Sequence, residues 1–96
     1  MYRVLIVDDE RPALTYLNAI VEKHLPDFEV AGMAEDAQGA LALLEAQTVD
    51  VLITDVSMPG GMNGIDLAKT AREKYPAMHI VIVSGYAEFE YARGAM

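Results

Sequence analysis

The stretch RVLIVDDE (3–10) runs four apolar residues straight into three acids. Val4 to Val7 form a short, non-alternating run rich in β-branched side chains, which predicts a strand buried on both faces, as in a parallel sheet covered by helices. Asp8, Asp9 and Glu10 then sit at the mouth of that strand. Like charges repel, and carboxylates beside a hydrophobic core are costly unless a cation answers them. The stretch therefore raises a fold question and a chemical one together.

Three more runs of the same kind follow, at 28–33, 49–54 and 80–83. Between the first two, Ala13, Leu14, Leu17, Ile20 and Val21 recur at helical spacing, with Pro12 tolerable in a first turn, and predict a helix over about 11–24. A second helix is written by Ala37, Ala40, Leu41 and Leu44 behind Asp36, a suitable N-cap. A third follows Asn63, which stands three residues before Asp66 in a variant of the capping box; Ile65, Ala68, Ala71 and Tyr75 trace its expected inner stripe, and Pro76 closes it. YAEFEYARGAM (86–96) opens a fourth helix. The pattern βαβαβαβα implies right-handed crossovers and a doubly wound α/β sheet, with no linker or repeat dividing residues 1–96, so one domain is expected.

Composition narrows the function. A formal net charge of -8 over 96 residues disfavours phosphate backbones and anionic bilayers, so direct nucleic-acid or membrane binding by this segment is not expected. The absence of cysteine excludes disulfides and thiolate chemistry. The apolar run near the N-terminus is too short for a signal peptide or a span, and a cytoplasmic location is the expectation.

Ligands of open parallel sheets collect outside the carboxyl ends of the strands. Asp8 and Asp9 follow strand one, Asp55 follows strand three and Ser84 follows strand four. If strands one and three are neighbours, three carboxylates converge, and an oxygen-only set suits a hard divalent cation such as Mg²⁺. With Asp8 and Asp9 neutralised by the ion, Asp55 is free to act as a nucleophile on a phosphoryl donor, with the Ser84 hydroxyl in reach of the arriving group. A Mg²⁺-dependent phosphatase would want a DxD pair after strand one, which the adjacent Asp8 and Asp9 do not make. His24 and His79 have no partner residues that would make either a metal ligand.

VLIVDDE (4–10), DVLITDVSMPGGMNGIDL (50–67) and IVIVSGYAEFEYA (80–92) together resemble the receiver domain of bacterial two-component response regulators. The resemblance implies a flavodoxin-like sheet of strand order 2-1-3-4. It also implies Asp55 as phosphoacceptor, Asp9 as a direct Mg²⁺ ligand, Asp8 as a partner acting through water, the Ser57 carbonyl as a further ligand, and Ser84 as the switch hydroxyl. Met58 and Pro59 would shape the loop after the acceptor, and Gly64 would let the next helix start tightly. The implied partner is a sensor histidine kinase. The output is a domain outside this chain, of the DNA-binding kind that regulates transcription. The domain would be a switch, not an enzyme.

Two features depart from the family pattern. MPGGMNG (58–64) holds one Gly more than the commonest spacing, which lengthens a loop but should spare Asp55. A typical receiver also continues into a fifth strand bearing a phosphate-pairing Lys and an aromatic switch residue, and then a fifth helix, none of which is in these 96 residues. The expectation is an incomplete receiver whose strand four is a bare edge, stable as a homo-dimer or domain-swapped oligomer through strand four and helix four, with Tyr86, Phe89 and Tyr91 as interface candidates. The alternative function is a pseudo-receiver, an interaction module that works without phosphorylation.

Overall fold

A computed structural model of the chain describes residues 1–58 and 60–83. The elements alternate as β1 (Tyr2–Val7), α1 (Arg11–His24), β2 (Phe28–Ala34), α2 (Ala37–Ala46), β3 (Val51–Asp55), α3 (Gly64–Lys74) and β4 (His79–Val83). All strand pairs are parallel and the sheet order is β2-β1-β3-β4. This is the flavodoxin-like order that the resemblance to receiver domains implies. The expected fourth helix, with Tyr86, Phe89 and Tyr91, lies outside the described residues, as do Ser84 and Pro59.

The central strand explains the arrangement. Val4, Leu5, Ile6 and Val7 are all buried, because β1 has a strand on each side and helices above and below. Leu5 and Val7 face one core with Leu52, the α2 residues Ala37, Ala40 and Leu44, and Leu67 and Ala71 of α3. Val4 and Ile6 face the other, with Leu14 and Val21 of α1 and with Phe28, Val30, Val51 and Ile53 packed around them. Each fully buried aliphatic side chain contributes about 1.5–3 kcal/mol relative to exposure. Burial on both faces does not extend to the edges. Val81, Ile82 and Val83 of β4 are 45%, 42% and 36% exposed, and among the described residues β4 has a paired strand on one side only.

Helix ends are built by local chemistry. The Asp36 carboxylate accepts from the Gly39 amide at 2.7 Å and opens α2. Asn63 and Asp66 form a reciprocal capping box at α3, with Asn63 Oδ1 accepting from the Asp66 amide at 2.9 Å and Asp66 Oδ2 accepting from the Asn63 amide at 3.3 Å.

Three details differ from the sequence reading. The inner stripe of α3 is Gly64, Leu67 and Ala71, with Ala68 and Tyr75 half-buried and Ile65 exposed, a rotation of about one residue from the stripe expected. The rotation accompanies the seating of Gly64 directly against the main chain of Asp55 and Val56. Asp55 is the last residue of β3, in register with Val83, and not a loop residue after it. Finally, β2 carries an irregularity: Val30 pairs with Val4 but Gly32 pairs with Leu5, so Ala31 is the extra residue of a bulge.

Candidate functional site

The crossovers that place β3 beside β1 bring Val7 into register with Thr54, and so set Asp8 and Asp9 beside Asp55. One carboxylate oxygen from each of Asp8, Asp9 and Asp55 lies within 4.8 Å of the other two. The convergence expected from the sequence, across the 45 residues of chain between Asp9 and Asp55, is therefore realised at the carboxyl rim of the sheet.

Main-chain and side-chain hydrogen bonds fix the acid loop. The Asp8 amide donates to the Ala34 carbonyl at 3.1 Å, extending the ladder by one residue. The Asp8 side chain accepts from the Glu10 amide at 2.9 Å. Glu10 is the N-cap of α1, without a side-chain cap, so the acids stand at the positive end of that helix. Burial pushes the Asp8 carboxyl above the usual carboxylate range; the Glu10 amide opposes this, and the charge of Asp9 adds to it. Arg11, the nearest cation in sequence, is held by Glu35 at 3.3 Å, and among the described residues no basic side chain pairs with Asp8 or Asp9.

This donor set fits a hard divalent ion. It is all oxygen, partly solvated and multiply negative. Mg²⁺ bonds of about 2.1 Å bring ligand oxygens no more than about 4.2 Å apart, a span on the same scale as the 4.8 Å within which the three carboxylate oxygens lie. Asp8, Asp9 and Asp55 would hold it. Ser57 is exposed two residues beyond β3, and Met58 and Met62 of the following loop pack back on the α2–α3 core.

Other residues singled out in the sequence fall elsewhere. His24 ends α1 and His79 begins β4; both are exposed, and neither belongs to the group of Asp8, Asp9 and Asp55. Ser84 lies outside the described residues. Sequence reasoning overlooked Thr54, fully buried behind Asp55, whose hydroxyl donates to the Asp55 carbonyl at 3.1 Å. A polar residue inside an otherwise apolar strand was the available signal. Among the described residues, no helix is long and apolar enough to cross a membrane.

The family model of the response regulator receiver domain matches residues 4–96. The transcriptional regulatory protein YesN of Bacillus subtilis is 35% identical over 96 residues, which is all of this chain and 26% of that protein. Among solved structures, the receiver domain of AraT, a response regulator from Geobacillus stearothermophilus, superposes with a TM-score of 0.84 at 41% identity, covering 98% of this chain and 72% of that one. The isolated receiver domain of RcsB from Salmonella enterica serovar Typhimurium, solved with the phosphomimetic BeF₃⁻, gives a TM-score of 0.81 at 30% identity, covering 86% of this chain and 61% of that one. The chain spans about a quarter of the length of the YesN relative.

Proposed function

The chain belongs to the response regulator receiver domain family, and from that premise we propose that it is a phosphoryl-accepting switch: a sensor histidine kinase phosphorylates Asp55, and the change regulates an output domain for transcription. The observation that carries the proposal is the convergence of Asp8, Asp9 and Asp55 within 4.8 Å at the sheet rim. A carboxylate oxygen of Asp55 attacks the phosphorus of a phosphohistidine in line. A P–O bond forms, the P–N bond breaks, and its electron pair returns to the imidazole, which takes a proton from solvent.

Mg²⁺ bound at the acids would supply the counter-charge that lets a dianionic phosphoryl group approach them. Asp9 is assigned as the direct ligand, Asp8 as an acid acting through water, and Ser57 as a carbonyl ligand. Beneath them the raised affinity of Asp8 for protons marks a site that gains from a cation. Ser84 is assigned the hydroxyl that follows the phosphoryl group and reports its presence. The domain is a switch and not a turnover enzyme, works in the cytoplasm, and associates through the β4 edge, where Val81, Ile82 and Val83 are exposed. Transcriptional output is supported by relatives such as YesN.

The test is incubation with Mg²⁺ and a small phosphodonor, followed by intact-mass measurement. One phosphoryl group should be gained, and Asp55→Asn should gain none. Gain by Asp55→Asn would move the acceptor elsewhere; no Mg²⁺-dependent change in the unsubstituted protein would favour an interaction module that does not cycle phosphate.

A further inference from the structure

Two glycines of the loop between β3 and α3, Gly60 and Gly61, and the first residue of α3, Gly64, are not equivalent. Gly60 has φ +92, a left-handed conformation that other L-residues rarely adopt, and a side chain there would meet nothing within 4 Å. Gly61 likewise faces open space. Gly64 does not have a positive φ. Its constraint is space: a Cβ at Gly64 would overlap the Asp55 carbonyl oxygen, lie 2.7 Å from the carbon bearing it and 3.1 Å from the Val56 Cα. All three obstructing atoms are main chain, so no rotamer change can relieve the overlap. The Gly64 amide meanwhile donates to the Val56 carbonyl at 2.8 Å, which pins the first turn of α3 to the chain just after the acceptor.

The same Asp55 carbonyl accepts from the buried Thr54 hydroxyl at 3.1 Å, with the Met58 sulfur 4.0 Å from that hydroxyl. We propose that Thr54 and Gly64 are positioning residues that clamp the main-chain carbonyl of Asp55 and thereby aim its carboxylate at Asp8 and Asp9. The physical reason is tolerance. Octahedral Mg²⁺ demands near-ideal contacts of about 2.1 Å, whereas making room for a Cβ requires a main-chain shift on the scale of an ångström at the residue that carries the ligand. Neither residue touches the ion; both act through Asp55. The inference rests on the metal-binding reading above.

The test uses Gly64→Ala, with Ala40→Gly as a control that weakens a buried α2 position away from the acids. Mn²⁺ binding is read by the free-ion paramagnetic resonance signal, and the metal-free amide resonances of residues 54–58 are read by nuclear magnetic resonance. Gly64→Ala should weaken Mn²⁺ binding by at least about tenfold, the scale of disturbed ligand support, and shift those amides, while Ala40→Gly should lose stability without either change. Unaltered affinity or unaltered amides in folded Gly64→Ala would overturn the clamp. Should Gly64→Ala not fold, the Thr54 pair decides: Thr54→Val should weaken Mn²⁺ binding about threefold, as loss of one hydrogen bond implies, and Thr54→Ser should restore it. Equal affinities in that pair would sink the proposal. If the unsubstituted protein binds no Mn²⁺, the metal reading fails by itself and the amide resonances alone judge the clamp: unmoved in Gly64→Ala, or in Thr54→Val, they overturn it, and a shift confined to residues 54–58 upholds it.

Discussion

The two ends of the sheet solve opposite electrostatic problems. At the carboxyl rim, Asp8, Asp9 and Asp55 gather like charges within 4.8 Å. At the amino rim, Arg3 gathers complementary partners: its amide donates to Asp50 Oδ2 at 2.8 Å, its Nε to the Thr48 carbonyl at 2.9 Å, one terminal nitrogen to Gln47 Oε1 at 2.6 Å and the other to Glu29 Oε1 at 3.2 Å. Asp50 returns an amide hydrogen bond to the Arg3 carbonyl at 2.8 Å. Gln47 then donates its own Nε2 to the carbonyl of Ala31 at 3.1 Å, satisfying the main chain where the bulge interrupts the ladder. One end satisfies its charges within the chain; the other brings together three carboxylates that could hold a cation. Stability and function are thus separated by the length of β1.

That contrast can be broken, starting from its strongest element. Arg3→Ala should destabilise the protein by about 1.5–2 kcal/mol, because the part-buried Gln47 acceptor and the exposed Thr48 and Glu29 acceptors lose a charged donor; denaturant unfolding should register this while Mg²⁺ affinity stays unchanged. Loss of metal binding in this variant would show that the two rims are coupled.

Asp9→Asn should do the reverse. Mg²⁺ affinity should fall by at least about tenfold, the range found when groups around a metal are altered, with little change in metal-free unfolding. Calorimetric titration checks the first and a thermal melt the second.

Asp8 sharpens the comparison through its sign. Its folded-state carboxyl binds a proton more readily than an ordinary one. The folded state therefore holds more protons than the unfolded state between the ordinary carboxylate value and the raised one, and stability falls as pH rises through that window. In metal-free protein Asp8→Asn should accordingly raise the melting temperature at neutral pH by on the order of a few degrees. The advantage should vanish below the ordinary carboxylate range, and Mg²⁺ should erase it by stabilising only the unsubstituted protein. A melting temperature unchanged or lowered by Asp8→Asn at neutral pH would contradict the strain assigned to the acid rim.

Two smaller effects complete the gradient. Asn63→Ala removes half of the α3 capping box and should cost about 1 kcal/mol; a larger effect on metal binding than on unfolding would tie the cap to the clamp at Gly64. Glu29→Gln removes an exposed ion pair with Arg3 and should change stability by no more than about 0.5 kcal/mol, which would locate the strength of the amino rim in Gln47, Thr48 and Asp50. Denaturant titration resolves both.

Much of this architecture is legible in local sequence. The apolar runs of 4–7 and 80–83, the helix over 11–24, and the caps at Asp36 and Asn63 are short-range signals of periodicity and hydrogen-bonding chemistry, which act within a few residues. The stripe of α3 was read one residue out of phase, because Ile65 and Leu67 are equally apolar and a period alone does not say which of them faces the sheet. The space behind Gly64 decides it. Arg3 appeared in the sequence only as a lone cation before a strand. Its partners Glu29, Gln47, Thr48 and Asp50 belong to other elements and are chosen by the register of β1 against β2 and β3.

The sequence by itself determined the order of strands and helices along the chain, the acids Asp8, Asp9 and Asp55 at the ends of its first and third apolar runs, and the net negative charge of the chain. Only the tertiary structure decided that Asp55 ends a strand beside Asp8 and Asp9, that Thr54 and Gly64 close on its carbonyl, and that Arg3 seals the opposite rim. The reason is one of range: propensity and periodicity act over a turn or a strand, whereas the meeting of residues tens of positions apart is set by crossover handedness, strand order and register.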